Sequence, residues 1–462
     1  MKSKYSISKL NNNKGFVLIL TYLLIVTLSI LGMAFFARTL SERKVTNVDK
    51  ESILAFNMAK AGVARTIVYM REAQPTNTTA FDPFNGDQTL CSNTTLTTPA
   101  CSSPNIVSGT YRVTVTPNGV FGSSRRFIIS VKGTSGQVSR TVNATIQTDN
   151  FARFAYFSDT EHYGQGWWRT PVWFISGDQI WGPTHTNGHY HVSGSPTFYD
   201  STASTDNFLT YYHGGLPDDN PQFIGGLTMG ADPIPMPSQA IALHNAGVQG
   251  GIVYNGNTTI VLNSNGTMTV TNSQANCNPC TGVAKPANNA LYVAGGDLTI
   301  SGILNGSLTV GSNRNIIIPD NLTYNTLPAG SSFCPTGATV ANDGSGRACS
   351  SSADKMGVIA EKQVIISASA PYNMEIDASV MAMDKSFLVE NWDSGSAKGN
   401  LKVFGGIIQN QRGPVGTFNS NTNSISTGYG KSYIYDSRFT TSPPDFFPQT
   451  GDYLKLLWLE AI

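Results

Sequence analysis

Three of the six histidines fall within seven residues: His185, His189 and His191, in the run THTNGHYHV. On a strand, alternate positions share a face, so His189 and His191 could reach one metal ion there. His, Asn and Gly at this density also suit a tight corner held by side-chain hydrogen bonds, and that structural role is the expected one. These three are weak metal candidates, and no metal or other cofactor is expected. Six cysteines form three close pairs: Cys91 with Cys101, Cys277 with Cys280, and Cys334 with Cys349. An even count in turn-rich segments reads as local disulfides in an oxidising compartment. Cys277-Asn278-Pro279-Cys280 could instead be a redox pair or half a zinc site. However, no second Cys-x-x-Cys lies nearby, and a catalytic redox pair would open a helix after a strand. Cleavage of a polysaccharide needs acids converging on one groove. Asp178, Asp200, Asp206, Asp218 and Asp219 show no such spacing. Trp167, Trp168, Arg169, Trp173 and Phe174 could form a sugar- or partner-binding patch, or a packed cap. No phosphate loop, dinucleotide fingerprint or Gly-x-Ser-x-Gly elbow occurs, so no catalytic residue is assigned and the chain is not expected to be an enzyme.

A chain of 462 residues can hold two or three domains and bury a sizeable core. A net charge of +1, with 13% charged residues, leaves no electrostatic footprint for nucleic acid. The 45 glycines, with many Asn, Ser and Thr, predict short strands and many turns, a composition that suits an exported surface protein.

The elements are set from the N-terminus. Residues 1–15 are basic, with Lys2, Lys4, Lys9 and Lys14 and no acid, and Phe16 to Ala37 carry no charge. As a helix, that run spans the roughly 30 Å of a bilayer core. Lysines before it predict an N-in orientation, with residues 38 onward outside. A secretory signal peptide is the competing reading, but the apolar run is too long and Phe35-Phe36-Ala37 lacks the small-x-small pattern. Residues 38–72 contain no Pro, and Val45, Val48, Ile53, Phe56, Ala59, Val63, Ile67 and Met70 recur near helical spacing. The runs 109–117, 125–133 and 138–147 alternate with period two and predict an antiparallel meander. Beyond residue 150, short apolar runs such as GGIVY, RNIIIP, QVIIS and SVMAM alternate with Gly and Asn. They predict a β-helix or related solenoid, with a β-sandwich as the alternative.

The basic leader, the Lys14-Gly15-Phe16 junction and the uncut apolar helix resemble the type IV prepilins. That resemblance implies cleavage between Gly15 and Phe16 by a prepilin peptidase, N-methylation of Phe16, and assembly with other major and minor pilins by the pilus machinery. Leu20 stands where most of that family carries a Glu, which points to a minor or tip subunit rather than a repeating one. The stretch Ala55-Phe56-Asn57-Met58-Ala59-Lys60-Ala61-Gly62 is similar to the helix of PilX-like minor pilins, with Lys60 in place of the common Glu; its small residues would admit a neighbouring helix as well as the chain's own sheet. The run Gly182-Pro183-Thr184-His185-Thr186-Asn187-Gly188, then Gly194-Ser195-Pro196-Thr197-Phe198, resembles the signature of an uncharacterised β-rich domain found behind pilin-like helices. A further likeness lies in Tyr435-Asp436-Ser437-Arg438-Phe439, followed by Pro443-Pro444.

The expected class is therefore α+β: a long N-terminal pilin helix with a small antiparallel sheet, then a large, mainly-β domain. The expected boundaries are a leader at 1–15, a helix at 16–72, a small β module at 73–150, a β-helix-like domain at 151–445 and an apolar tail at 446–462. The expected role is a processed minor pilin that starts in the inner membrane and ends on the pilus or cell surface. An adhesin with a surface ligand and the tip pseudopilin of a secretion system are the alternatives.

Overall fold

The computed structural model describes residues 13–72, 88–91, 109–164, 166, 169–342, 344–422 and 424–461. The expected leader lies almost wholly outside these residues. One helix, α1 (Asn13–Glu72), runs without a break for 60 residues. It divides into two halves of different chemistry. From Gly15 to Lys50 every side chain is exposed, including all of Phe16 to Ala37. From Glu51 onward one face packs on a sheet, and Ala55, Met58, Ala59, Val63, Thr66 and Met70 are buried. Val45 and Val48 continue the apolar spacing but are exposed because they precede the sheet, and Ile53 is exposed among partly covered neighbours.

That sheet has five strands in the order β1 (Gln88–Cys91), β2 (Thr110–Phe121), β3 (Ser124–Ser135), β4 (Val138–Asn150) and the C-terminal strand Gln449–Ala461. All neighbours are antiparallel. Val113, Val115, Phe127, Ile129, Val131, Val142, Ala144 and Ile146 alternate onto the helix side and are fully buried. The close approach of α1 depends on two glycines. A Cβ on Gly133 would stand 2.0 Å from the Ala55 carbonyl oxygen, and one on Gly62 would meet Val131 Cγ1 at 2.6 Å. The small residues at 55–62 therefore serve the chain's own sheet. The apolar tail at 446–462, for which the sequence names no partner, supplies that sheet's last strand.

The class is α+β, and the large region is built from parallel strands. One ladder joins ten of them, in the spatial order 227–229, 202–204, 184–186, 156–160, 397–411, 375–382, 355–360, 307–312, 290–294 and 252–255. Two further sets of short parallel ladders run beside it, among them 174–175, 191–193 and 210–211, and 222–223, 197–198, 179–181 and 424–435. Parallel neighbours are compatible with the expected solenoid, and this stacked region is called the coil below. A single apolar cluster runs through the inside, from Phe198 and Val192 to Ile260 and Val270.

The spatial order differs from the chain order. The chain enters at Tyr156, in the middle of the long ladder, and winds outward to Met229. It then returns alongside the strands through residues 230–251, re-enters at the far end at Ile252, and winds back until 397–411 lies beside 156–160. At about 4.8 Å per strand, the return path spans roughly 43 Å. The path is laid on one column of the outer surface, where Phe157, Ile408, Met381, Ile359, Gly311 and Tyr292 are consecutive neighbours. Helix α2 (Ile241–Val248) and the residues before it cover this column with Ile234, Met236, Ala240, Leu243 and Ala246. Strands such as Lys355–Ala360 and Glu375–Ala382 are thus buried on both faces over most of their length and read as largely apolar runs, broken in the second by Asp377 and Ser379. At Gly311 a Cβ would lie 2.6 Å from Leu243 Cδ2, so the position must stay bare for α2 to sit down.

Candidate functional site: a histidine and aromatic surface

His191 opens a strand whose neighbours on either side are Phe174–Ile175 and Thr210–Tyr211. His162 lies on a short hairpin with Thr170–Pro171, and that hairpin brings its ring over the same surface. The centroids of His162 and His189 stand 4.7 and 4.8 Å from that of His191, with the rings nearly perpendicular to it. His191 Nδ1 is 3.1 Å from the Glu161 carbonyl oxygen, and His189 Nδ1 is 2.9 Å from an Asp206 carboxylate oxygen. Aromatic rings border the trio: Phe208 against His189 at 4.2 Å, Trp173 against His191 at 5.3 Å, and Tyr212 against Trp173 at 4.9 Å.

Burial is the chief reason the His191 imidazole is pushed down to about 3, and the adjoining His162, His189 and Arg412 add to it. His162 is also lowered, first by burial and then by Arg169. Both rings are therefore neutral at pH 7; His191 is buried and bonded to the Glu161 carbonyl, so the accessible edges are those of His162 and His189. A ring bordered by flat aromatic faces and neutral polar edges can bind uncharged polar molecules by stacking and hydrogen bonding. The trio does not form a metal cage: among the described residues no group of three or more His, Cys, Asp or Glu is disposed to hold an ion.

The sequence candidates are thus regrouped. His189 and His191 lie together, joined by His162 rather than by His185. His162 is 27 residues before His189 and gives no sequence signal, because only the fold of its hairpin brings it there. His185 points to the outer column, where it stacks on Phe157 with centroids 5.4 Å apart and rings 8° from parallel. Its Nε2 is 3.0 Å from Asn187 Oδ1. Asn187 in turn accepts from the Ile234 amide at 2.9 Å and donates to the Ile234 carbonyl at 2.8 Å and to Asp159 at 2.7 Å. The Gly182–Gly188 run therefore pins the return path to the coil.

Two buried ion pairs join the outgoing and returning halves of the coil. Glu161 meets Arg412 at 2.6 Å, and Asp178 meets Lys431 at 2.6 Å. Glu161 also accepts from the Tyr156 hydroxyl at 2.9 Å and from Ser158, while the Arg412 guanidinium lies 3.5 Å above the Phe174 ring. The pairs are 251 and 253 residues apart in sequence, which is why no local spacing announces them. Among the acids considered for catalysis, Asp178 is committed to Lys431, Asp206 to His189 and Asp219 to His213. A cleft of about 400 Å³ lies beside the return path, lined by Met236, Gln239, Glu361, Lys362, Asp384 and Asn410.

Cys277 is bonded to Cys280 and Cys334 to Cys349. Cys277 and Cys280 lie on a strand, Cys277–Ala284, rather than at a helix start. Cys101, like Trp167 and Trp168, lies outside the described residues, so the expected Cys91–Cys101 pair does too. Gly15, Phe16, Leu20 and Ala37 all lie on the exposed half of α1.

Residues 110–206 match the model of a domain of unknown function, DUF4900. The match begins at β2 and ends just beyond Ser204, so it crosses from the small sheet into the outgoing half of the coil and includes the Gly182–Gly188 run. No curated protein matches the chain. Among solved structures, the competence-associated pilin ComZ from Thermus thermophilus is similar over 89% of this chain and 97% of that one, at 15% identity and a TM-score of 0.31. A TM-score that low does not establish a shared fold.

Proposed function

We propose that this chain is a pilin-like subunit, inserted N-in in the inner membrane, cut after Gly15 by a prepilin peptidase, and carried into a type IV pilus as a minor or tip component. The observation that carries this reading is the division of α1. Its first half offers an apolar, fully exposed surface from Phe16 to Ala37, while its second half is fastened to an antiparallel sheet. Gly15–Arg71 contains a window apolar enough to cross a membrane. An apolar helix of this length is stable in lipid or among like helices, not in water. In the membrane it anchors the subunit, and in a filament it packs among the helices of other pilins. Leu20 supports a minor position, since a repeating pilin would carry an acid there to pair with a neighbour's amine. The coil, which contributes most of the mass, is then displayed outside, and the chain acts by assembly and presentation rather than by catalysis.

Intact-mass and N-terminal analysis of the membrane or fibre form, with and without the cognate peptidase, tests this directly. An N-methylated chain starting at Phe16 is expected; a chain starting at Met1 or after Ala37 would overturn it. A second reading, adhesion, draws on the neutral histidine and aromatic surface around His191. Removing residues 151–445 while keeping the C-terminal strand would then spare filament formation and abolish adherence.

A further inference from the structure

The two ends of the coil are finished differently. At the Ile252 end, Thr267–Asn272 and Cys277–Ala284 extend the sheet as an antiparallel hairpin and close over the core, with Met268 and Val270 fully buried. At the other end the last turn comprises Thr210–Tyr211, Gln222–Phe223 and Leu227–Met229. Each of these strands pairs with the turn beneath it, and none has a partner beyond it among the described residues.

The inward columns show what this leaves open. Phe174 and Val192 are buried, and their column ends in Tyr211, 38% exposed. Ser158, Thr186 and Ser204 are buried, and theirs ends in Met229, 40% exposed. Leu216 and Ile224, on the connections of the same turn, are 76% and 65% exposed. The terminal repeat of a stacked array normally carries a polar outer face or a cap, and an exposed apolar patch of this kind marks an interaction site. The backbone is open as well. The amides of Thr210, Gln222 and Ile224 donate downward to the carbonyls of Tyr190, Pro196 and Phe198. Residues alternate in direction along a parallel ladder, so the N–H and C=O groups of Tyr211 and Phe223 face away from the coil.

Charge identifies what covers this end. No Lys or Arg occurs from Thr170 to Ala284. Asp218 is exposed on the last turn, Asp232 is exposed where the return path leaves it, and Asp200 is exposed on the turn beneath. A second copy docked on the same end would set acid against acid, and a nucleic acid or anionic lipid surface would be repelled in the same way. We infer that the open end of the coil docks a partner protein that adds an extended strand across the last turn, with apolar side chains over Tyr211, Phe223 and Met229 and basic ones toward the acidic rim. This surface adjoins the histidine trio through the strand Thr210–Tyr211, which pairs with the one His191 opens, and does not depend on the fate of α1.

The test uses the full chain in detergent and a fluorescent peptide of alternating valine and lysine, with a valine–glutamate peptide as control, read by anisotropy. The lysine peptide is expected to bind saturably and the glutamate peptide not to bind. Ile224→Lys and Met229→Lys are each expected to weaken binding about tenfold or more. The pair Asp218→Lys with Asp232→Lys should also weaken it and flatten its salt dependence. All four positions are exposed, and unchanged circular dichroism and Tm would confirm that the variants fold. Val261→Lys, exposed near the capped end, should bind as the parent does. The inference is overturned if both peptides bind alike, if Val261→Lys weakens binding as much as Ile224→Lys, or if sedimentation shows self-association that Ile224→Lys abolishes.

Discussion

The small sheet and the coil are both closed by the last part of the chain but held shut by different means. Residues 449–461 complete the sheet against β4, and 397–435 complete the coil against 156–160 and 179–181. Both closures therefore await the last part of the chain, and both use partners drawn from residues 138–181. At the sheet's closing edge the ion pairs are partly or largely exposed, Arg71 with Asp452 and Arg140 with Glu460, and the hold comes from the backbone ladder and apolar contacts such as Phe127 with Tyr453. At the coil's closure the ion pairs are buried. Buried charges give little net stability but penalise every arrangement that leaves one of them unpaired. The sheet is thus closed by area, whereas the coil is closed by register.

Breaking the buried seam should have the largest effect. Glu161→Ala leaves Arg412 charged and unpaired in a dry site, and a loss of about 3–5 kcal/mol is expected in urea unfolding. The double variant Glu161→Met with Arg412→Met removes both charges and should recover most of that loss. If the double variant were as unstable as the single, the pair would be contributing attraction rather than specifying register.

The return path tests the same half of the comparison at one remove. Asn187→Ala removes both hydrogen bonds to Ile234 and the one to Asp159. The stranded backbone groups should cost about 1–3 kcal/mol. Hydrogen exchange should rise at Ile234 and along the path, with β2 to β4 unaffected.

How much of this was legible depends on the distance between partners. The spans 109–117, 125–133 and 138–147 match the starts of β2, β3 and β4 to within one residue, because a hairpin partner is the next strand and both carry the same alternation. The tail at 446–462 is apolar enough to need a partner, yet nothing in it points to β4, some 300 residues back. In the coil the short runs are legible as strands: QVIIS contains Val364–Ile366, and RNIIIP contains Ile316–Ile318. Their spatial order is not legible, since the break between Met229 and Ile252 looks like any other Gly- and Pro-rich connection. The histidine surface is half legible. His189 and His191 are two residues apart where the chain enters the strand His191–Ser193, His185 shares their run but faces the other way, and His162 arrives through the fold.

Acid should separate the two regions. All six histidines lie between residues 162 and 244, so the helix-and-sheet module has none. His191 in the folded chain is held down at about 3, chiefly by burial, against 6.5 for the free side chain. The unfolded chain therefore takes up the proton first. The contribution of this site is complete above about pH 6.5 and is lost progressively as pH falls toward 3, by at most about 1.4 kcal/mol per pH unit. The lowered His162 and His185 act in the same direction. His191→Gln should flatten the decline between pH 6.5 and 4 in the coil, read by exchange at 191–193, and leave β2 to β4 unchanged.

The smallest effect is expected at the sheet's closing edge. Asp452 pairs with Arg71 across α1 and the C-terminal strand, with both side chains about half exposed. Water already solvates both charges, so their attraction is screened and must offset the entropy of holding two side chains. Asp452→Ala is therefore expected to cost no more than about 1 kcal/mol, with the remaining effect reduced further in high salt. Trp458→Ala, which removes a partly buried ring packed against the sheet core, should cost more than Asp452→Ala. If the order were reversed, the sheet would be closed by charge as the coil is, and the contrast between area and register would fail.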